Sequence, residues 1–173
     1  MLGLLACSGH GGDASGELDV DRYEDDRLAF AHPADWEMTV GEGYEREIRI
    51  ERPADEADHA EALIIVAWPS LHSHDLDGAI GFFGRDEGEP EVSEVDEGPI
   101  DVAGADEAVL RTLTTTDAVV DEETAYRFWS VFAMSEAERV VAVTIGVDED
   151  AVVDGQVVAD TVLDSLELRP SWD

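Results

Sequence analysis

The stretch that decides the fold is Arg27-Leu28-Ala29-Phe30-Ala31-His32-Pro33-Ala34-Asp35-Trp36-Glu37-Met38-Thr39-Val40. Leu28–Ala31 is an apolar run rich enough in large side chains for a strand. Pro33 removes a backbone donor and interrupts pairing, and Trp36–Val40 resumes an extended pattern. The segment reads as a strand–turn–strand unit, the first hairpin of a domain, with Trp36 as a core anchor.

Downstream, Gly41 and Gly43 mark a tight connection, and Tyr44–Arg52 alternates. Arg46, Ile48 and Ile50 point one way, and Glu45, Glu47, Arg49 and Glu51 the other, which predicts a strand with one wet face. In Ala60–Trp68 both sets are apolar: Ala62, Ile64, Val66 and Trp68 against Leu63, Ile65 and Ala67. A strand of that kind belongs at the centre of a sheet.

Leu76, Ile80 and Phe83 recur at helical spacing, and Asp75 or Asp77 supplies negative charge at the start, so a helix is expected over Asp75–Phe83. Strands follow at Glu91–Glu97, Ile100–Val102, Glu107–Thr116, Thr124–Met134 and Arg139–Val147. The last two are joined by the short turn Ser135–Glu138 and should pair antiparallel. Ala151, Gly155, Val158, Val162 and Leu166 fall on one helical face, which predicts a helix from about Asp148 to Ser165 despite its β-branched content. Leu166–Arg169 is then a short tail strand before Pro170.

Upstream, Met1–Asp26 reads as a tether. Leu5-Ala6-Cys7 resembles a lipobox, and Cys7, the single cysteine of the chain, is the residue that would carry the lipid. A Gly/Ser-rich run follows it, as a flexible linker should. Six residues before Cys7 are too few for the apolar region of a signal peptide, about 7 to 15 residues long, so a leader starting upstream of Met1 is expected. The organisation expected is a tether over 1–26 and one globular domain over 27–173.

Composition sets the surroundings. With 173 residues, 44% of them hydrophobic, one sizeable core can be buried. The 43 acidic residues against 10 basic ones, all arginine, leave a formal charge of -33. Such a chain repels nucleic acid and anionic lipid, whose binding depends on Lys and Arg displacing counterions. Because the acids are interleaved with periodic apolar residues, the surplus reads as a surface adapted to high salt, where self-repulsion is screened. An acidic chain from an arginine-favouring genome is the other reading.

The element order, the Phe30-x-His32-Pro33-x-x-Trp36 opening and the closing Ser165-Leu166-Glu167-Leu168 resemble the PsbP-like family, which includes Mog-type and LpqN-like proteins. The resemblance covers about Arg27 to Leu168. It implies an α+β fold, a central antiparallel β-sheet with helices packed on both faces, and a domain that binds a protein or other partner rather than catalysing. It supplies no catalytic set.

Candidate sites are few. His72 and His74, spaced to point both rings one way on an extended segment, are metal candidates, with His32 or His59 as further ligands; a polar loop is the plainer reading. Asp117–Glu123 and Asp148–Asp150 lack the spacing of a calcium loop and read as solvated turns. Trp68, Phe82, Phe83, Tyr126 and Trp129 are core by pattern, with an aromatic ligand groove as the alternative. No nucleophile motif or phosphate loop occurs, and no cofactor is expected. The sequence supports a lipid-anchored, extracytoplasmic binding or assembly module with a protein or small-ligand partner. Its alternatives are a cytoplasmic protein-binding domain of the Mog type and a hydrolase without a recognisable signature.

Overall fold

In the computed structural model, residues 18–42, 47–52, 64–68, 75–83, 92–116, 125–135, 139–148 and 152–169 are described. The elements are β1 (Val20–Glu24), β2 (Leu28–Pro33), β3 (Glu37–Val40), β4 (Ile48–Glu51), β5 (Ile64–Trp68), α1 (Leu76–Phe83), β6 (Val92–Pro99), β7 (Glu107–Thr116), β8 (Ala125–Met134), β9 (Val140–Asp148), α2 (Val152–Ser165) and β10 (Glu167–Leu168). Two sheets form: a three-stranded one in the order β1-β2-β10 and a seven-stranded one in the order β3-β4-β5-β9-β8-β7-β6. All their strand pairs are antiparallel. The fold is therefore mostly antiparallel sheet with few helices.

The doubly apolar strand lies where its pattern puts it, as β5 between β4 and β9. Ile48 and Ile50 of β4 are buried while Arg49 and Glu51 are exposed, as the alternation requires. Asp75 caps α1: its Oδ1 accepts the Gly78 N–H at 2.6 Å, satisfying a donor that the first turn leaves open.

Two apolar clusters use alternate residues of β8 and β9. Trp129, Val131 and Ala133, with Val141, Val143, Ile145 and Val147, join Val158, Ala159 and Val162 of α2. Phe132, Val140 and Ala142 instead join Leu76 and Ala79 of α1. Gly155 lets α2 sit close on β9, since a Cβ there would lie 2.5 Å from Val147 Cγ1.

Four expectations are corrected. The Arg27–Val40 segment is not a hairpin: β2 pairs with β1 and β10, whereas β3 pairs with β4, so Pro33–Trp36 carries the chain from one sheet to the other. Proline ends β2, and the buried Trp36 joins the main core beside Phe30 and Ile50. Within the expected tether, Val20–Glu24 forms β1, whose one buried side chain, Tyr23, is too slight a period-two signal to mark a strand. Ile100–Val102 is not a strand, because the chain turns there, Ala105 N–H bonding to Val102 O at 3.1 Å. The turn needs Gly104 at φ 77°, where a Cβ would strike the Leu168 carbonyl. Finally, Asp148 extends β9, and the closing helix starts at Val152 rather than at Asp148.

Candidate functional site

Direct cross-strand partners share a face, so the register sorts the large sheet into rows. On the face that carries α1, the row Pro99–Val109–Phe132–Ala142–Trp68 is apolar. The next row, Glu97–Arg111–Ser130–Thr144–Val66–Arg49–Thr39, crosses all seven strands and is polar at six of its seven positions. The row after it returns to Val95–Leu113–Phe128–Gly146–Ile64 before ending in Glu51 and Glu37. A polar band thus runs between two largely apolar ones.

Within the band, Arg111 is only 7% exposed, and its Nε lies 4.0 Å from Glu97 Oε2, an ion-pair separation rather than a hydrogen bond. Ser130 Oγ and Thr144 Oγ1 are 3.0 Å apart and hydrogen-bonded, either being able to donate. The row holds two guanidinium groups, Arg111 and Arg49, three hydroxyls, Thr39, Ser130 and Thr144, and one carboxylate, Glu97. Sequence periodicity does not reveal the row, because neighbouring members lie 10 to 78 positions apart along the chain and only the register aligns them.

The sequence candidates fall elsewhere. Cys7, His59, His72, His74 and Asp117–Glu123 lie outside the described residues. His32 is buried on β2, its ring edge-on to Phe30 and its Nδ1–H donating to the Pro33 carbonyl at 2.9 Å. Among the described residues no group of three or more His, Cys, Asp or Glu side chains is placed to hold a metal ion. Of the aromatic candidates, Trp129 joins the α2 cluster, while Tyr126 and Trp68 lie on the other face, opposite Asp148 and Ala142 of β9 respectively. Side-chain positions of Phe82 and Phe83 are not described.

The fold has solved counterparts. The Ran-binding protein Mog1p of Saccharomyces cerevisiae is similar with a TM-score of 0.56 at 9% identity, over 88% of this chain and 96% of that one. LpqN of Mycobacterium tuberculosis, involved in cell envelope biogenesis, gives 0.55 at 14% identity, over 87% and 92%. Cyanobacterial PsbP (CyanoP) of Synechocystis sp. PCC 6803 gives 0.53 at 16% identity, over 94% and 98%. The chain has the PsbP-like, Mog-type fold. At such identities the likeness is one of fold alone, so the PsbP-like scaffold carries no partner or site residue across by itself. No family model matches the chain, and no curated protein does.

Proposed function

We propose that this chain is a non-enzymatic binding or assembly module, held at the outer surface of a prokaryotic membrane by a lipid on Cys7 and adapted to high salt. The observation that carries the reading is its near end-to-end fold likeness to LpqN, an envelope-biogenesis protein, and to Mog1p, a Ran-binding protein. The Leu5-Ala6-Cys7 start supports the anchor, and the charge of -33 supports the salt regime. No helix among the described residues is long and apolar enough to cross a membrane.

The layered form belongs to the same proposal. Alternate residues of a strand face opposite sides, and α1 and α2 pack against alternate residues of β8 and β9. In this reading one helix covers each face of a single PsbP-like domain that begins near Val20, with the tether before it. The likeness to Mog1p favours a second reading, a cytoplasmic protein-binding domain.

Labelling cells that express the upstream-extended gene with a lipid precursor separates the two. Label in the membrane fraction, lost in Cys7→Ala, is expected; label that persists in the variant rejects the lipidation site, and a wholly soluble, unlabelled protein rejects the anchor. Chemical crosslinking in the same cells addresses binding itself, and a protein recovered only as uncrosslinked monomer would speak against a binding module of either kind.

A further inference from the structure

Of the four outer strands among the described residues, β10 is bridged on its outer side to Ala103, and β1 in the small sheet and β3 and β6 in the large one have a side with no strand partner among those residues. Proteins guard such edges with bulges, prolines or charges. In β6 the register shifts between Val92 and Glu94, and Pro99 stands at its end. In β1, Asp21, Arg22 and Glu24 put charge on three of its five positions. The edge of β3 has neither a bulge nor a proline, and one charge, Glu37.

Its hydrogen-bonding side follows from one contact. Gly41 N–H donates to Glu47 O at 2.8 Å. Antiparallel pairs alternate between bonded and non-bonded, so in the register Val40↔Ile48, Met38↔Ile50 the bonded pairs are Thr39/Arg49 and Glu37/Glu51. Met38 and Val40 therefore turn their backbone N–H and C=O groups outward. Met38 is also, with Val20 and Val157, a large apolar side chain left exposed among the described residues, at 48%, although its partner Ile50 is fully buried.

The charges around the edge select an occupant. Glu37 stands directly opposite Glu51, a like-charge pair that destabilises a sheet. Arg49 serves Glu51 at 2.8 Å and Glu47 at 3.8 Å, and Glu37 has no ion pair among the described residues. A second copy of the chain would bring another -33 to this edge. An extended segment with Arg or Lys at alternate positions would instead pair with Met38 and Val40 through its backbone and set a cation beside Glu37.

We propose that the outer edge of β3 takes an extended, cationic segment of a partner protein as an added strand. The proposal deepens the binding-module reading and rests on it. The probe is an acetylated, amidated Arg-Val-Arg-Val-Arg-Val peptide, with a version N-methylated at alternate residues that keeps its charge and loses one edge of donors. Titrations are run in about 0.5 M KCl, where the Debye length of roughly 4 to 5 Å suppresses non-specific attraction.

Met38→Pro removes an outward donor and leaves the β3–β4 bonds in place, since proline is tolerated where an edge N–H faces solvent. Expected are binding about five- to tenfold weaker in Met38→Pro and with the methylated peptide, and slowed hydrogen exchange at the Met38 and Val40 amides of the unaltered protein. Equal affinity for the two peptides, or absence of binding, overturns the edge assignment, and the comparison stands even if the variant fails to fold. Such a failure leaves the crosslinking result above untouched, so the edge and the binding module fall separately.

Discussion

The two sheets are held by different forces. The seven-stranded sheet is closed by aliphatic burial: Val131, Val141, Val143, Ile145 and Val147 are at most 1% exposed and pack with α2. The three-stranded sheet has Leu28 and Phe30 at its centre, but its outer strands are joined by polar links. Arg22 Nη2 meets Glu167 Oε2 at 3.0 Å, joining β1 to β10 across β2, and Arg169 Nη2 meets Glu24 Oε2 at 3.0 Å. Burial resists salt and local fraying, whereas exposed ion pairs do neither. The large sheet is thus the apolar platform, and the small one shares its core through Leu28 and Phe30 while adding exposed ion pairs that salt can weaken.

Trp36 sits where the chain passes between the sheets, and its replacement tests the platform most severely. It is 9% exposed and shares a cluster with Phe30 and Ile50. Trp36→Ala should lower stability by about 3 to 5 kcal/mol in denaturant titration, with the loss seen equally by probes in either sheet. A near-neutral result, or a loss confined to the small sheet, would mean that the two are not one cooperative unit.

A smaller effect is expected at Ser165, where α2 ends against the small sheet. Following β10 backwards along β2, the register Glu167↔Ala29 would bring position 165 opposite Ala31. The strand has already given way to helix there, and Ser165 Oγ takes the Ala31 N–H at 2.7 Å while donating to Thr161 O at 2.7 Å. One hydroxyl thus replaces a missing strand residue. Ser165→Ala leaves the partly buried Ala31 donor open and should cost about 1 to 3 kcal/mol. Faster hydrogen exchange at Ala31 than at Val143 would show that the weakness stays in the small sheet.

These two positions also show what was legible from sequence. Periodicity placed β4, β5, β7, β8, β9 and both helices, because each carries several apolar residues at a fixed repeat. Phe30, Trp36 and the terminal Ser165-Leu166 were recognised as pattern, and the structure supplies their physical reasons: a core crossing and a hydroxyl standing in for a strand. β1 stayed hidden because Tyr23 alone faces inward, and the sheet crossing at Pro33–Trp36 was hidden because a proline turn between two strands looks the same whether they pair or part. The polar row Glu97–Arg111–Ser130–Thr144 was invisible for a different reason. It exists only in the register of four strands, and no local window contains it.

The smallest effect should come from the ion pairs, and it has the sharpest condition dependence. Arg22 and Glu167 side chains are 43% and 46% exposed, so the pair contributes at most about 1 kcal/mol at low ionic strength and less as salt rises. Tyr23 reports on it, since its amide pairs with Phe30 in the bonded register set by Asp25 N–H to Leu28 O at 3.0 Å. In low salt, Arg22→Gln should speed exchange at Tyr23 by up to about fivefold, with little change at Ile145. In 1 M KCl, where the Debye length is about 3 Å, variant and parent should converge. The same salt relieves repulsion among the 43 acids, so global melting should rise while this local link weakens. Opposite trends at Tyr23 and in the melting temperature would separate the two sheets by the force that holds each. A difference between variant and parent that survives molar salt would show that Arg22 acts through packing of its side-chain stem instead.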